Sequence, residues 1–270
     1  MAHLLGVAVG LLSLLRGRHR RLLRDNLRHV GLYTAGTLLG AAMELGKGLA
    51  ELPLVWLRPQ SRLDRWVRRV EGWEHVEAAR AGGHGVMLLA PHLGCWEICG
   101  INIAGRMPVT ALYTPPPQAW VHEAMRIGRE RNAAASKTVP PTTAGVRALL
   151  TRLRQGEAAF ILPDQVANRG EGIWVRFFDR DVYMPSLPYR LVASTGAVPL
   201  LVFAERLSWG RGYRQHILPL SPASDRVEDI ARATNELASR VIRAHPQQYL
   251  WSYRLFRAQE GIPPPPGDKV

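Results

Sequence analysis

Charge-free runs of apolar residues, set between charged stretches and Gly- or Pro-bearing breaks, divide the chain into alternating elements. Leu4 to Leu15 is apolar throughout. A second apolar region, from Tyr33 to Leu57, carries Glu44, Lys47 and Glu51, charges that suit a helix of the domain and not a bilayer span. Arg62 to Arg80 places Leu63, Trp66, Val67 and Val70 at helical spacing before Gly82 and Gly83 stop it, so one helix is predicted there. Val86 to Ala90 has neither charge nor alternation, as expected of a strand buried on both faces, and it is read as the first strand. The pattern then predicts a helix from His92 to Gly105, a strand at Val109 to Tyr113 ended by Pro115, Pro116 and Pro117, and helices at Trp120 to Asn132 and Thr143 to Arg154. A third strand, Ala158 to Leu162, ends at Pro163. A helix at Ser186 to Thr195 leads to a fourth strand at Pro199 to Ala204, and Gln215 to Pro219 is a fifth. Asp225 to Ala244 is a long helix with Ser224 as its cap. This alternation predicts an α/β single domain, a mixed but mostly parallel sheet flanked by helices. The one low-complexity run, Pro263 to Pro266, lies in a C-terminal segment, 258–270, expected to be a flexible tail.

Charge changes the picture at the N-terminus. Thirty-five Lys+Arg against 22 Asp+Glu gives a net charge of +13, which calls for an anionic partner. The run from Leu4 to Leu15 falls short of the ~20 residues a bilayer core requires. Its arginines (Arg16, Arg18, Arg20, Arg21, Arg24, Arg28) follow the apolar run, whereas a signal peptide carries its positive charge first. That order predicts a helical segment lying in a membrane interface with arginines at anionic headgroups; an ordinary first helix packed on the domain is the other reading. Cys95 and Cys99 are four apart, which is neither a redox Cys-x-x-Cys nor a zinc pattern, and a reduced compartment fits.

In open α/β sheets chemistry gathers beyond the carboxyl ends of the strands. His92 and Asp164 both sit there, each directly after a proline that ends an apolar strand. Glu97 follows His92 by five positions, a spacing that chance supplies roughly 0.7 times in a chain with this many histidines and acids. His92 is the one histidine so placed. A carboxylate one turn into the helix can fix the imidazole tautomer and leave the other ring nitrogen free to take a proton from an alcohol. The same spacing also suits a partly buried histidine bonded to its helix. No Gly-x-Ser-x-Gly elbow, P-loop, zinc finger or helix-turn-helix pattern is present, which argues against a serine hydrolase, an NTPase and a nucleic-acid binder. A His–Glu hydrolase acting through water is compatible with the pair.

His92-Leu-Gly-Cys-Trp-Glu97 resembles the acceptor-activating motif of the lysophospholipid acyltransferase superfamily, and most closely that of the bacterial lipid A late acyltransferases. Four further stretches are similar to that family in the same order. They are Arg20 to Leu27, Gly128-Arg129-Glu130-Arg131, the Gly-Glu and Pro-Asp-Gln block ending at Gln165, and Gly172 to Phe178; His245 to Arg254 resembles its C-terminal signature. The chain departs from the family where Arg254-Leu255-Phe256-Arg257 replaces Arg-Arg-Phe-Lys and where Asp179 replaces a glycine. The resemblance implies a glycerolipid acyltransferase-like fold, with residues 1–60 associating with the membrane and 61–257 forming the acyltransferase domain. It implies His92 as general base with Glu97 as its partner. Arg129 would sit on a phosphate and Asp164 would position an arginine or hydroxyl, with Arg131, Gln165, Arg169 and Arg176 as further candidates for the same anionic site. Trp174, Phe177 and Phe178 are readable as an acyl channel or as core. The expected reaction is direct transfer from an acyl-carrier protein or acyl-CoA to a hydroxyl of a lipid A precursor, or of another glycolipid such as a mannosylated phosphatidylinositol, or of a lysophospholipid. It needs no metal, no other cofactor and no nucleic acid, and a monomer at the cytoplasmic face of the bacterial inner membrane is expected.

Overall fold

In the computed structural model, which describes residues 2–131, 136–256, 261–262 and 264–265, the chain opens with three helices, α1 (Ala2–Ser13), α2 (Gly17–His29) and α3 (Ala35–Leu57). Then follow α4 (Gln60–Trp66), β1 (Val67–Glu71), α5 (Trp73–Ala81), β2 (Val86–Leu89), α6 (Trp96–Ala104), β3 (Val109–Leu112), α7 (Ala119–Arg129) and β4 (Ser136–Val139). The remainder is α8 (Thr143–Arg154), β5 (Ala158–Ile161), the hairpin β6 (Gly172–Phe177) and β7 (Arg180–Pro185), α9 (Leu187–Thr195), β8 (Val198–Arg206), β9 (Tyr213–Pro219) and α10 (Val227–Ala244).

Seven strands form one sheet in the order β1-β9-β8-β2-β5-β3-β4. Every neighbouring pair is parallel except β8 with β9. The mostly parallel α/β architecture expected from the alternation of runs is therefore present. β2 is central, and its residues divide between the two faces: Met87 and Leu89 join one hydrophobic cluster, Val86 and Leu88 the other. Burial on both faces is why this stretch needs no polar residue at all.

Pairing partners explain what the local pattern misplaces. The single helix expected over Arg62 to Arg80 is instead α4, β1 and α5. Val67–Glu71 pairs along β9, and Gly72 turns the chain at φ 84 in the left-handed region. A Cβ at Gly72 would lie 1.9 Å from the Ile217 carbonyl oxygen, so only glycine lets the chain turn against β9 here. The strands β4, β6 and β7 carry polar residues on their exposed positions and have no uniform apolar run to announce them. Ser224 stands before α10 but is not its N-cap: Arg226 holds that position, and the Ser224 hydroxyl donates to Asp229 (2.6 Å). Of the helix expected at Trp120 to Asn132, residue 132 lies outside the described residues, as does most of the tail at 258–270.

The first apolar run is a helix lying antiparallel on α3. Backbones touch at small residues: a Cβ on Gly10 would sit 2.0 Å from the Ala42 carbonyl oxygen, and one on Gly46 1.9 Å from that of Gly6. The opposite side of α1 is open, with Leu4 at 75% and Leu12 at 61% exposure. No helix among the described residues is long and apolar enough to cross a membrane. α2 buries Leu23, Asn26 and Leu27 in the main core and leaves its arginines outward.

Candidate active site

Register builds the centre of the site. β2 and β5 run parallel with Leu89 opposite Ile161, and the Ala90 N–H still donates to the Ile161 carbonyl at 3.0 Å. Beyond them the two chains carry Pro91 and Pro163, then His92 and Asp164. Two strands that end in step thus deliver the histidine and the aspartate side by side. The Asp164 carboxylate accepts the His92 backbone N–H (2.8 Å) and bonds the Nδ1 of its ring (2.7 Å). Burial alone would raise the Asp164 carboxyl, but the imidazole, the two bonds from His92 and the Tyr249 hydroxyl outweigh it and hold it below the usual carboxylate value. A proton on Nδ1 shared with a buried carboxylate leaves Nε2 as the basic nitrogen, and there the Gln165 amide approaches at 3.2 Å.

The helix expected from His92 begins only at Trp96, because the intervening backbone is used elsewhere. Leu93 bridges to Tyr249 and Gly94 to Ala204; the Leu250 N–H donates to the His92 carbonyl (3.0 Å) and the Gly94 N–H to the Gln248 carbonyl (3.0 Å). Gly94 adopts φ +63, and a Cβ there would meet the Ala204 carbonyl oxygen at 2.0 Å. Buried Asn26 of α2 donates to the carbonyls of Trp251 (2.7 Å) and Tyr253 (2.5 Å). Those two bonds hold the segment whose Tyr253 ring lies 6.0 Å from His92, while Trp96 meets the imidazole edge-on at 5.0 Å.

Glu97 does not reach His92; it faces away, into α3 and α7. Its carboxylate accepts the Trp56 indole N–H (3.0 Å) and a two-point clasp from Arg129, Nε at 3.0 Å and Nη2 at 2.5 Å. Burial would raise its pKa, yet Arg129 first and Trp56 next keep it below the usual carboxylate value. Arg129 therefore spends two of its three nitrogens on Glu97, over the Tyr113 ring. The Arg129 side chain remains 19% exposed, in the wall of the cleft.

His92, Glu97, Arg129 and Gln165 line one open cleft together with Trp56 and Tyr253. A pocket opens from it, sharing Trp96, Glu97 and Arg129 and continuing along α6 past Gly100 and Ala104 over Val109 and Phe160. Away from Glu97, Arg129 and Lys137 its walls are chiefly apolar, which suits an alkyl chain. The other predicted residues lie elsewhere. Arg131 caps the end of α3 through the carbonyls of Val55 (2.6 Å), Trp56 (2.8 Å) and Arg58. Exposed Arg176 pairs across the hairpin with Asp181 (3.5 Å), and exposed Arg169 lies on the loop between β5 and β6; neither lines the cleft. Phe177 and Phe178 belong to the core, where Phe178 faces Trp251, and Trp174 sits edge-on to Tyr183; none of the three lines the pocket.

Sequence reasoning passed over Trp56, Tyr249, Asn26 and Arg206 as individual residues, since their roles arise from contacts far apart along the chain. Among the described residues no group of three or more His, Cys, Asp or Glu is arranged to hold a metal ion.

Comparison with known proteins bears on this arrangement. Over 217 residues, 80% of this chain and 69% of the other, it is 29% identical to a lipid A biosynthesis palmitoleoyltransferase of Escherichia coli. The same organism's lipid A biosynthesis lauroyltransferase is 25% identical over 81% of this chain and 71% of its own length. A lipid A biosynthesis acyltransferase of Haemophilus influenzae is 29% identical over 70% of this chain, which spans 59% of that protein's length. A phosphatidylinositol mannoside acyltransferase of Mycobacterium tuberculosis is 28% identical over 67% of this chain and 58% of its own length. The family model described as bacterial lipid A biosynthesis acyltransferase matches residues 42–258, a span that holds the cleft, its histidine and the pocket beside it, and the chain belongs to that family.

Proposed function

We propose that the protein moves a fatty acyl chain from an acyl-thioester, on acyl-carrier protein or coenzyme A, to a hydroxyl of a lipid A precursor. The observation that carries this reading is the His92–Asp164 pair at the mouth of an apolar pocket. In the reaction the Nε2 of His92 takes the proton of the acceptor hydroxyl, whose oxygen attacks the thioester carbonyl. Asp164 keeps the imidazole oriented and offsets the charge it acquires. Gln165 occupies the place of the incoming hydroxyl and moves aside or bonds to it. The first-turn N–H groups of α6, which have no partner within the helix, are the donors assigned to the oxyanion. Expulsion of the thiolate, which recovers the proton from the His92 imidazolium, completes the transfer without an acyl-enzyme. A thioester is already activated, so general-base help of roughly 10²–10⁴-fold together with positioning is enough.

Glu97 is assigned here as the residue that positions Arg129, whose remaining guanidinium face meets phosphate of donor or acceptor at the wall of the cleft. The alkyl chain lies in the pocket along α6. The exposed leucines of α1 and the arginines of α2 seat the protein on the cytoplasmic face of the bacterial inner membrane as a peripheral, monomeric enzyme. Similarity to the mycobacterial protein supports a second reading, in which the acceptor is a mannosylated phosphatidylinositol.

The test is an assay of the full chain with acyl-carrier-protein and coenzyme A thioesters against both acceptors, with product masses read by spectrometry. One added acyl group on the lipid A precursor, abolished in a folded His92→Ala variant, is the expected result. Near-normal turnover of that variant overturns the assignment of the base.

A further inference from the structure

β8 overshoots the sheet. Its Leu201 lies opposite Leu89, the last residue of β2, yet the strand continues to Arg206, roughly 16 Å further at the usual rise per residue. The hairpin it makes with β9 therefore runs past the end of β2, flanked by β1 on one side, with Val67 opposite Tyr213, and by the loop after His92 on the other, with Gly94 opposite Ala204. At its tip Trp209 is 96% exposed and is held at φ 59, ψ 27, a left-handed conformation unusual for a large side chain. The strain is sustained by bonds around it. The Leu207 N–H donates to the Gly212 carbonyl (2.9 Å) and the Arg211 side chain to the Ser208 carbonyl (3.1 Å). Arg68 of β1 donates to the Arg211 carbonyl at 2.8 Å, so two exposed arginines meet at the turn that carries Trp209.

The tip also lies close to the first helix. A Cβ on Gly210 would lie 3.9 Å from the Nδ1 of His3, and the next residues of α1 are Leu4 and Leu5, 75% and 66% exposed. Single exposed apolar residues are ordinary on a protein surface, but here an exposed indole and two exposed leucines lie on neighbouring elements, and two exposed arginines share the tip with the indole. The root of the hairpin is rigid. Buried Arg206 bonds Glu51 of α3 through two nitrogens (2.7 and 2.8 Å), Glu44 (2.6 Å) and the Gly94 carbonyl of the catalytic loop (3.3 Å).

We propose that the β8–β9 tip is a second membrane contact, with Trp209 at headgroup depth in an anionic phospholipid surface and Arg68 and Arg211 on its phosphates. The inference rests on the membrane reading of α1 and α2 and adds to it a point off that helix pair. Contact at the helix pair and at the hairpin sets the tilt of the cleft over the bilayer, because Arg206 ties the hairpin to the loop that holds His92.

Both cysteines are buried, so a nitroxide placed on Trp209→Cys labels one site. The same label on Gln155→Cys, exposed at the opposite end of the sheet just before β5, serves as the control. With vesicles of phosphatidylethanolamine and phosphatidylglycerol, the label at 209 is expected to lose contact with an aqueous nickel relaxant and gain contact with oxygen, while the label at 155 stays wet. Trp209→Ser is expected to weaken vesicle partition about ten-fold with turnover on a detergent-dispersed acceptor unchanged. If the wild-type chain binds the vesicles while the label at 209 stays wet, the hairpin contact is overturned and the reading of α1 and α2 survives. If the wild-type chain does not bind, both fall. Shielding at 209 that rises with protein concentration in the absence of lipid identifies a second copy of the chain as the occupant and overturns the proposal.

Discussion

At the scale of single residues, the two acids nearest His92 in sequence and in space have different tasks, and separate variants distinguish them. Asp164→Asn keeps the shape and removes the charge that orients the imidazole. A fall in kcat of about 10²–10⁴-fold with little change in KM is expected from steady-state kinetics, and a variant with wild-type kcat would refute the pairing. Glu97→Ala removes the partner of a largely buried guanidinium. It is expected to cost about 3–5 kcal/mol in denaturant unfolding, because Arg129 is left with an uncompensated charge. Arg129→Lys retains the charge but loses the two-point clasp on Glu97, so it is expected to behave as a damaged variant and not as a conservative one. The place of His92 was legible in the chain, since an apolar run and Pro91 lead straight to it. Its partner was not, because the fifth-position rule assumes a helix that starts at His92, and the backbone from His92 to Cys95 is committed to Ala204, Gln248 and Leu250 instead.

At the scale of elements, the loop that carries His92 is one short strand-like link held between the end of β8 and the segment after α10. Gly94→Ala pushes a methyl group into the Ala204 carbonyl and forces an L-residue to a positive φ. A loss of at least about 2 kcal/mol in stability is expected, together with a fall in activity as His92 is displaced. Thermal unfolding and turnover measured on the same sample check it. The elements that the pattern recovered, such as β2, β5 and α8, are those whose apolar periodicity reflects their own burial. Those it missed, β1 and β4 at the two edges of the sheet and the hairpin β6–β7, owe their form to a partner strand and carry polar residues outward.

At the scale of the whole molecule, charge joins parts that are distant in sequence. His3 of α1, Glu44 and Glu51 of α3 and Arg206 of β8 form one network centred on the buried Glu51 and Arg206. Burial opposes ionisation of Glu51, but Arg206 and then His3 dominate and bring its pKa from 4.5 to about 2. A folded-state value below the unfolded one adds stability that is complete above pH 4.5 and is lost as the pH falls from there towards about 2. The contribution is on the order of 3 kcal/mol. In Glu51→Gln, urea unfolding across that window is expected to show a shallower dependence on pH than in the wild type. An unchanged slope would remove Glu51 as the source.

Composition and pattern by themselves determined the α/β class, the central strands, the basic N-terminal third and the stretch that carries the histidine. Each of these follows from burial or charge that a segment bears on its own. Tertiary structure alone decided which carboxylate holds His92, that Arg131 caps a helix instead of facing the cleft, and that Phe177 and Phe178 are core while the apolar pocket runs along α6. The reason is that hydrogen bonds between residues tens of positions apart depend on strand register. Here that register runs in step from Leu89 and Ile161 to His92 and Asp164.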